Sequence, residues 1–205
     1  MVTKSLEHTF SQFGELLQKR FTKDIHTTED SVRYTFFYCL TQYYQIDPSD
    51  IVLEKPHNSL KGCFVDTYIK PSKERPSIVF EFKYDREIPS ERNSPRTQKA
   101  GKVFADLFRL ALFETEQKIN RYFVYVTDNE MIGYFNNRRN NLYNFFNLPI
   151  KNQIRIDENY IKRHAKTFVK SAGKNIASVD VICCLKVDED NYSIRIYEIK
   201  PTKTL

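Results

Sequence analysis

The chain has 205 residues, enough for one domain with a sizeable core. Its 40% hydrophobic and 28% charged content is that of a soluble globular protein, and it excludes a disordered chain. The net charge of +6 is compatible with a polyanionic partner but too mild to identify one.

The opening MVTKSLEHTF has no apolar run of the signal-peptide kind, and no stretch approaches the roughly 18 apolar residues of a membrane span. Cys39, Cys63, Cys183 and Cys184 sit in apolar runs without metal-ligand spacing, so buried free thiols and a cytoplasmic location are expected. Residues 5–20 carry Leu6, Phe10, Phe13, Leu16 and Leu17 at helical spacing. Thr27-Thr28-Glu29-Asp30 then gives a helix start with acids in the first turn, and the helix runs through Val32, Phe36, Phe37 and Leu40 to about Tyr44. The stretch 46–50, with Pro48, is a turn, and a short strand begins at Ile51.

Two strand-like runs follow, Gly62 to Ile69 and Ser77 to Tyr84, joined by the polar, proline-bearing stretch Lys70 to Pro76. This is a hairpin with a long loop. Side chains alternate faces along a strand, so Glu81 and Lys83 share one face while Phe80 and Phe82 take the other. Folding the hairpin symmetrically about Lys73 and Glu74 puts Asp66 directly opposite Glu81. Their Cβ atoms would lie roughly 4.5–5.5 Å apart, and facing like charges destabilise a sheet. A divalent cation between them reverses the sign of that cost, because hard cations prefer carboxylate oxygens. With Lys83 beside them, the arrangement is one for phosphoryl-transfer chemistry.

After the hairpin, a polar stretch from Asp85 to Arg96 brings Arg86, Arg92 and Arg96 next to the acids, in reach of phosphates. A long amphipathic helix is predicted over Thr97 to Lys118, and a buried strand over Arg121 to Thr127. Strand, helix, strand in that order implies a parallel pair with a right-handed crossover. Residues 130–146 mix Asn, Arg138, Arg139 and aromatics, a composition that can follow a nucleic-acid backbone or simply cover the core. A helix over 158–174, ending near Gly173, would carry Lys162, Arg163 and Lys166 as a basic stripe for phosphate contact.

Ser178 to Val187 and Tyr192 to Lys200 form a second hairpin. It repeats the acid, acid-any-Lys pattern with Asp180, Glu198 and Lys200, but a symmetric fold pairs Asp180 with Ile199 rather than Glu198. Only five residues follow Lys200, too few for a succeeding helix, so this copy reads as a charged strand face.

Asp66 followed by Glu81-Phe82-Lys83 on the next strand resembles the PD-(D/E)XK nuclease superfamily, over roughly residues 25–130. Val65 stands where the pattern's proline would be. The resemblance implies an α/β, restriction-endonuclease-like fold: a central mixed β-sheet flanked by helices, here with an additional C-terminal β-hairpin. The chain would be a single domain over 1–205, its core at 25–130 and a C-terminal extension at 150–205. It further implies a metal-dependent endonuclease acting on DNA, with RNA not excluded, that uses Mg²⁺, or Mn²⁺ as substitute. Asp66, Glu81 and the Phe82 carbonyl would hold the ion, and Lys83 would serve the attacking water. Glu29 would be the helix acid, with Asp30 the alternative, though an acid there is also ordinary capping. Gln98 would assist from the start of the following helix, and Arg96, Lys99 and Lys102 would lie near the nucleic acid. A homodimer is compatible with cutting both strands. The alternative is a catalytically inactive module of this fold that binds nucleic acid or a protein. A small-phosphate enzyme is disfavoured by the absence of a glycine-rich loop.

Overall fold

The computed structural model describes residues 5–87 and 94–202; Arg92, in the loop expected near the acids, lies outside them. The elements run α1 (Leu6–Thr22), α2 (Glu29–Gln42), β1 (Ile51–Pro56), β2 (Phe64–Ile69), β3 (Ser77–Asp85), α3 (Arg96–Leu112), β4 (Ile119–Asp128), α4 (Asn129–Asn136), α5 (Tyr143–Phe146), β5 (Gln153–Ile156), α6 (Glu158–Lys162), α7 (Lys166–Ala172), β6 (Val179–Asp188) and β7 (Tyr192–Pro201). This is an α/β fold with one seven-stranded mixed sheet, ordered β1-β2-β3-β4-β7-β6-β5. Only β3 and β4 pair in parallel, as the strand-helix-strand order requires. No helix among the described residues is long and apolar enough to cross a membrane.

Each face of the sheet is covered because its strands alternate. Ile78, Phe80 and Phe82 of β3, with Val124 and Val126 of β4 and Ile194 and Ile196 of β7, pack against Phe10, Phe13 and Leu17 of α1 and Val32 and Phe36 of α2. The Phe36 ring lies 4.7 Å from Phe80 and 5.4 Å from Phe82, centroid to centroid. Val79, Phe123 and Tyr197 face the opposite layer, built on α3 with α4, α5 and α7. There α3 and α7 touch closely: a Cβ added at Gly101 would meet the Phe168 carbonyl oxygen at 2.6 Å.

Four expectations are corrected. Helix α3 ends at Leu112, where Phe113 turns extended and its carbonyl accepts from the Arg121 guanidinium at 2.8 Å. The basic helix over 158–174 is two short helices, broken where Ala165 adopts extended backbone (φ −58°, ψ 149°), so Lys162 and Lys166 share no continuous stripe. The C-terminal hairpin is not an appendage, since β7 pairs with β4 in the middle of the sheet. Finally, Asp180 pairs with Lys200, one residue off the symmetric register, and an irregularity at Cys184 shifts the ladder again. All four cysteines are free, Cys39 and Cys183 buried and the other two half-buried.

Candidate active site

The β2–β3 hairpin has the register that symmetry about its loop predicts: Ile69 opposite Ile78, Tyr68 opposite Val79 and Thr67 opposite Phe80. The ladder stops there, one pair short of Asp66 and Glu81. Strand β2 itself continues to pair with β1 as far as Pro56 and Phe64, so it leaves β3 and follows β1. The connection after β1 is tied to α3. His57 is buried, and its Nδ1 accepts from the N–H groups of Ser59 and Leu60 at 3.1 and 3.0 Å. Its Nε2 must then carry the proton, which it donates to the Arg109 carbonyl at 2.8 Å. Asn58 adds a bond to the Glu114 carbonyl. These contacts hold the start of β2 toward α3 and open one edge of β3.

Two carboxylates replace the departed strand. The Phe82 N–H donates to Asp66 Oδ2 at 2.7 Å, and the Tyr84 N–H donates to Glu29 Oε2 at 2.8 Å. A buried backbone N–H needs an acceptor, so each bond satisfies a group that β2 would otherwise have paired. Phe82 turns its carbonyl to the same edge as its N–H, beside Asp66. Glu29 comes from the first turn of α2, where Thr28 and Ser31 form a reciprocal cap. Phe36, two turns on and seated over Phe80 and Phe82, fixes that helix so that its N-terminus reaches the β3 edge. Asp30 points away and is mostly exposed, near Arg33.

Glu81 and Lys83 complete the cluster. Lys83 Nζ lies 3.3 Å from Glu29 Oε2. Burial opposes the lysine's charge, but Glu29, Asp85 and Asp106 outweigh it and raise its pKa above the ordinary value. Glu81 is buried at 2% exposure and bonds the Arg109 guanidinium through Oε1. Its Oε2 is buried with no hydrogen-bond partner among the described residues. Burial, reinforced by the charge of Asp66, pushes its carboxyl well up despite Arg109. Burial also raises Asp66, against the pull of the Phe82 N–H and of Arg33, whose guanidinium lies 3.0 Å from Oδ1. On α3, Asp106 pairs with Arg109 at 3.0 Å, and burial drives it up to about 6.

Hard oxygen ligands for a divalent cation are thus at hand in Asp66, Glu81 and the Phe82 carbonyl. Among the described residues, however, no group of three or more His, Cys, Asp and Glu side chains stands ready around one point. Guanidiniums take one oxygen of each acid.

The other expected site residues separate. Gln98 lies in the first turn of α3, roughly 16 Å along the axis from Arg109 at 1.5 Å per residue, so it does not join the acids. Lys99 is buried against Glu130 at 2.8 Å and the Arg86 carbonyl, so it offers no surface charge to a nucleic acid. Arg96, Lys102, Arg138, Arg139, Lys162, Arg163 and Lys166 are exposed, with Lys162 held by Glu158 at 2.8 Å. Arg33, His57, Asp106 and Arg109 were missed. For two of them a signal exists: Asp106 and Arg109 are charges three apart inside an otherwise apolar helix. No family model matches this chain, and neither a curated protein nor a solved structure does.

Proposed function

We propose that the chain is a Mg²⁺-dependent endonuclease of the PD-(D/E)XK superfamily, with the restriction-endonuclease-like fold, that hydrolyses phosphodiester bonds of DNA. The observation that carries this reading is the convergence of Asp66, Glu81, Lys83 and Glu29 on the one β3 edge that β2 abandons. The donor set suits a hard cation, and the unpartnered Glu81 Oε2 is an acceptor that a cation would satisfy. Asp66, Glu81 and the Phe82 carbonyl would hold the ion, with Arg33 and Arg109 yielding their carboxylate contacts. Bound there, Mg²⁺ supplies polarisation of the scissile phosphate and a water of lowered pKa.

The chain's own groups do the rest. Lys83, kept cationic by Glu29, orients the attacking water and offsets charge growing on the phosphate oxygens. Glu29 positions that ammonium while closing the Tyr84 N–H. Arg33 and Arg109, once released, are planar forks that match phosphate oxygens.

A second reading rests on those same arginines. Paired as they are, they neutralise Asp66 and Glu81 without any metal, as an inactive binding module of this fold would. A nicking assay on supercoiled plasmid separates the two. With Mg²⁺ or Mn²⁺ the wild type is expected to nick, while EDTA and Asp66→Ala each abolish it. Plasmid binding that survives EDTA, with no cleavage under any metal, selects the inactive module.

A further inference from the structure

At the far end of the sheet, a cleft of about 550 Å³ opens between the 138–141 turn, α5, β5 and α6, within the size range of small-ligand sites. Every charged side chain in its lining is an arginine: Arg138, Arg155 and Arg163. They come from three separate elements, so the fold gathers a charge that no single segment carries. The Arg138 guanidinium stacks on the Tyr143 ring at 4.1 Å, and Asp180 grips Arg155 through both carboxylate oxygens, at 2.8 and 3.1 Å. Two of the three guanidiniums are therefore held in defined planes. Asn144 adds an amide to the same lining.

We infer that this cleft seats one nucleotide of a single-stranded nucleic acid. Its phosphate lies on Arg163 and Arg155, its base packs on the flat Arg138–Tyr143 stack, and Asn144 meets the base edge. Guanidinium planes and aromatic rings beside a cationic groove are what unpaired bases and their backbone require. A duplex base is stacked on both sides and cannot enter a concavity of this kind. Four strand spacings separate β3 from β5 in the sheet, roughly 19 Å at about 4.8 Å each, so the cleft is apart from Asp66 and Glu81. The assignment takes its ligand class from the nuclease reading, as an anchor for the strand that is cut.

The test is binding in EDTA, which leaves cleavage out of the measurement. Anisotropy of a labelled twelve-nucleotide single strand is titrated with the full chain, with the double variant Arg138→Ala/Arg163→Ala, and with Lys170→Ala as an exposed control. The double variant is expected to bind at least tenfold more weakly. Its log affinity–log salt slope should be shallower by about 1.4, two contacts at about 0.7 each, while Lys170→Ala changes affinity less than twofold. Arg138→Lys/Arg163→Lys, which keeps the charge, should retain the slope yet bind more weakly. Wild-type affinity and slope in the alanine double variant overturn the inference. Displacement of the oligonucleotide by equimolar dTMP overturns the strand assignment, since the cleft would then take free nucleotide. A chain that binds the strand through these arginines but never cuts sustains the inference and sinks the nuclease reading instead.

Discussion

The chain carries the acid, acid-any-Lys pattern twice, and the two copies fold into different physics. In the second, β6 and β7 stay laddered through the whole motif: Asp180 sits opposite Lys200, and Glu198 sits opposite Ile182. Asp180 is held by Arg155, and Glu198 by Lys200 at 3.3 Å. All backbone groups there have strand partners to pair with, so the carboxylates settle into surface ion pairs. In the first, β2 quits β3 at Thr67, and Asp66 and Glu29 are drawn in to close the vacated N–H groups. An interrupted ladder turns a charged face into a buried cluster; an intact one does not.

Exchanging matched residues breaks the comparison most sharply. Asp66→Asn is expected to lower plasmid cleavage in Mg²⁺ by ~10³-fold or more, the scale of losing a preorganised charge at the reacting phosphate. Asp180→Asn should leave the rate within about twofold, because that carboxylate faces Arg155, far from the gap. Equal losses in the two variants would remove the distinction between the copies. Next in size, Lys83→Arg should cost ~10²-fold, since a planar fork cannot take the place of a compact ammonium beside Glu29. Lys200→Arg should keep wild-type turnover in the same assay.

Part of this contrast is readable from the residues alone. The first hairpin's register follows from a symmetric polar loop, and period-two alternation puts Glu81 and Lys83 on the face away from Phe80 and Phe82. What decides the chemistry is not local. The departure of β2 depends on His57 reaching the Arg109 carbonyl, a contact between residues 52 apart in the chain. The partners of the two acids, Arg33 and Arg109, come from helices on opposite faces of the sheet. The central place of β7 needs the long-range pairing of Val124 with Ile196, though the run around Ile194, Ile196 and Ile199 does hint at burial on both faces. The register of the second hairpin escapes because one extra residue at Cys184 leaves the alternation of apolar positions nearly unchanged.

The buried cluster also leaves a thermodynamic mark that the surface copy lacks. Burial drives Asp106 up to about 6, against about 3.9 for an unfolded aspartate. Between about pH 4 and 6 the folded chain therefore keeps a proton that the unfolded chain has released. Stability is highest below that window, falls as pH rises through it, and at pH 7 is lower by about 2–3 kcal/mol from this group alone. Glu81, pushed up by burial and by Asp66, adds to the fall with the same sign. Urea unfolding from pH 4 to 8 should show this decline in the wild type and a flatter profile in Asp106→Asn. A wild-type profile that rises over the same range would mean that Arg109 holds Asp106 ionised.

The smallest effect belongs to the second copy. The Arg155 side chain is 54% exposed and that of Asp180 19%, so solvent screens most of their attraction. A well-formed exposed pair is worth about 0.2–1 kcal/mol. Asp180→Asn keeps the shape and removes the charge, so it should destabilise the fold by less than about 1 kcal/mol, an effect that shrinks further in 0.5 M salt. Asp66→Asn works against a different background, because it keeps an acceptor for the Phe82 N–H but leaves Arg33, only 15% exposed, without its counter-charge. Its loss should exceed that of Asp180→Asn and persist in salt, since a partly buried guanidinium is screened less than a surface one. Comparable, salt-sensitive losses at both positions would mean that the gap at β3 is as wet as the sheet's outer face, and the difference between the two copies would then be one of sequence alone.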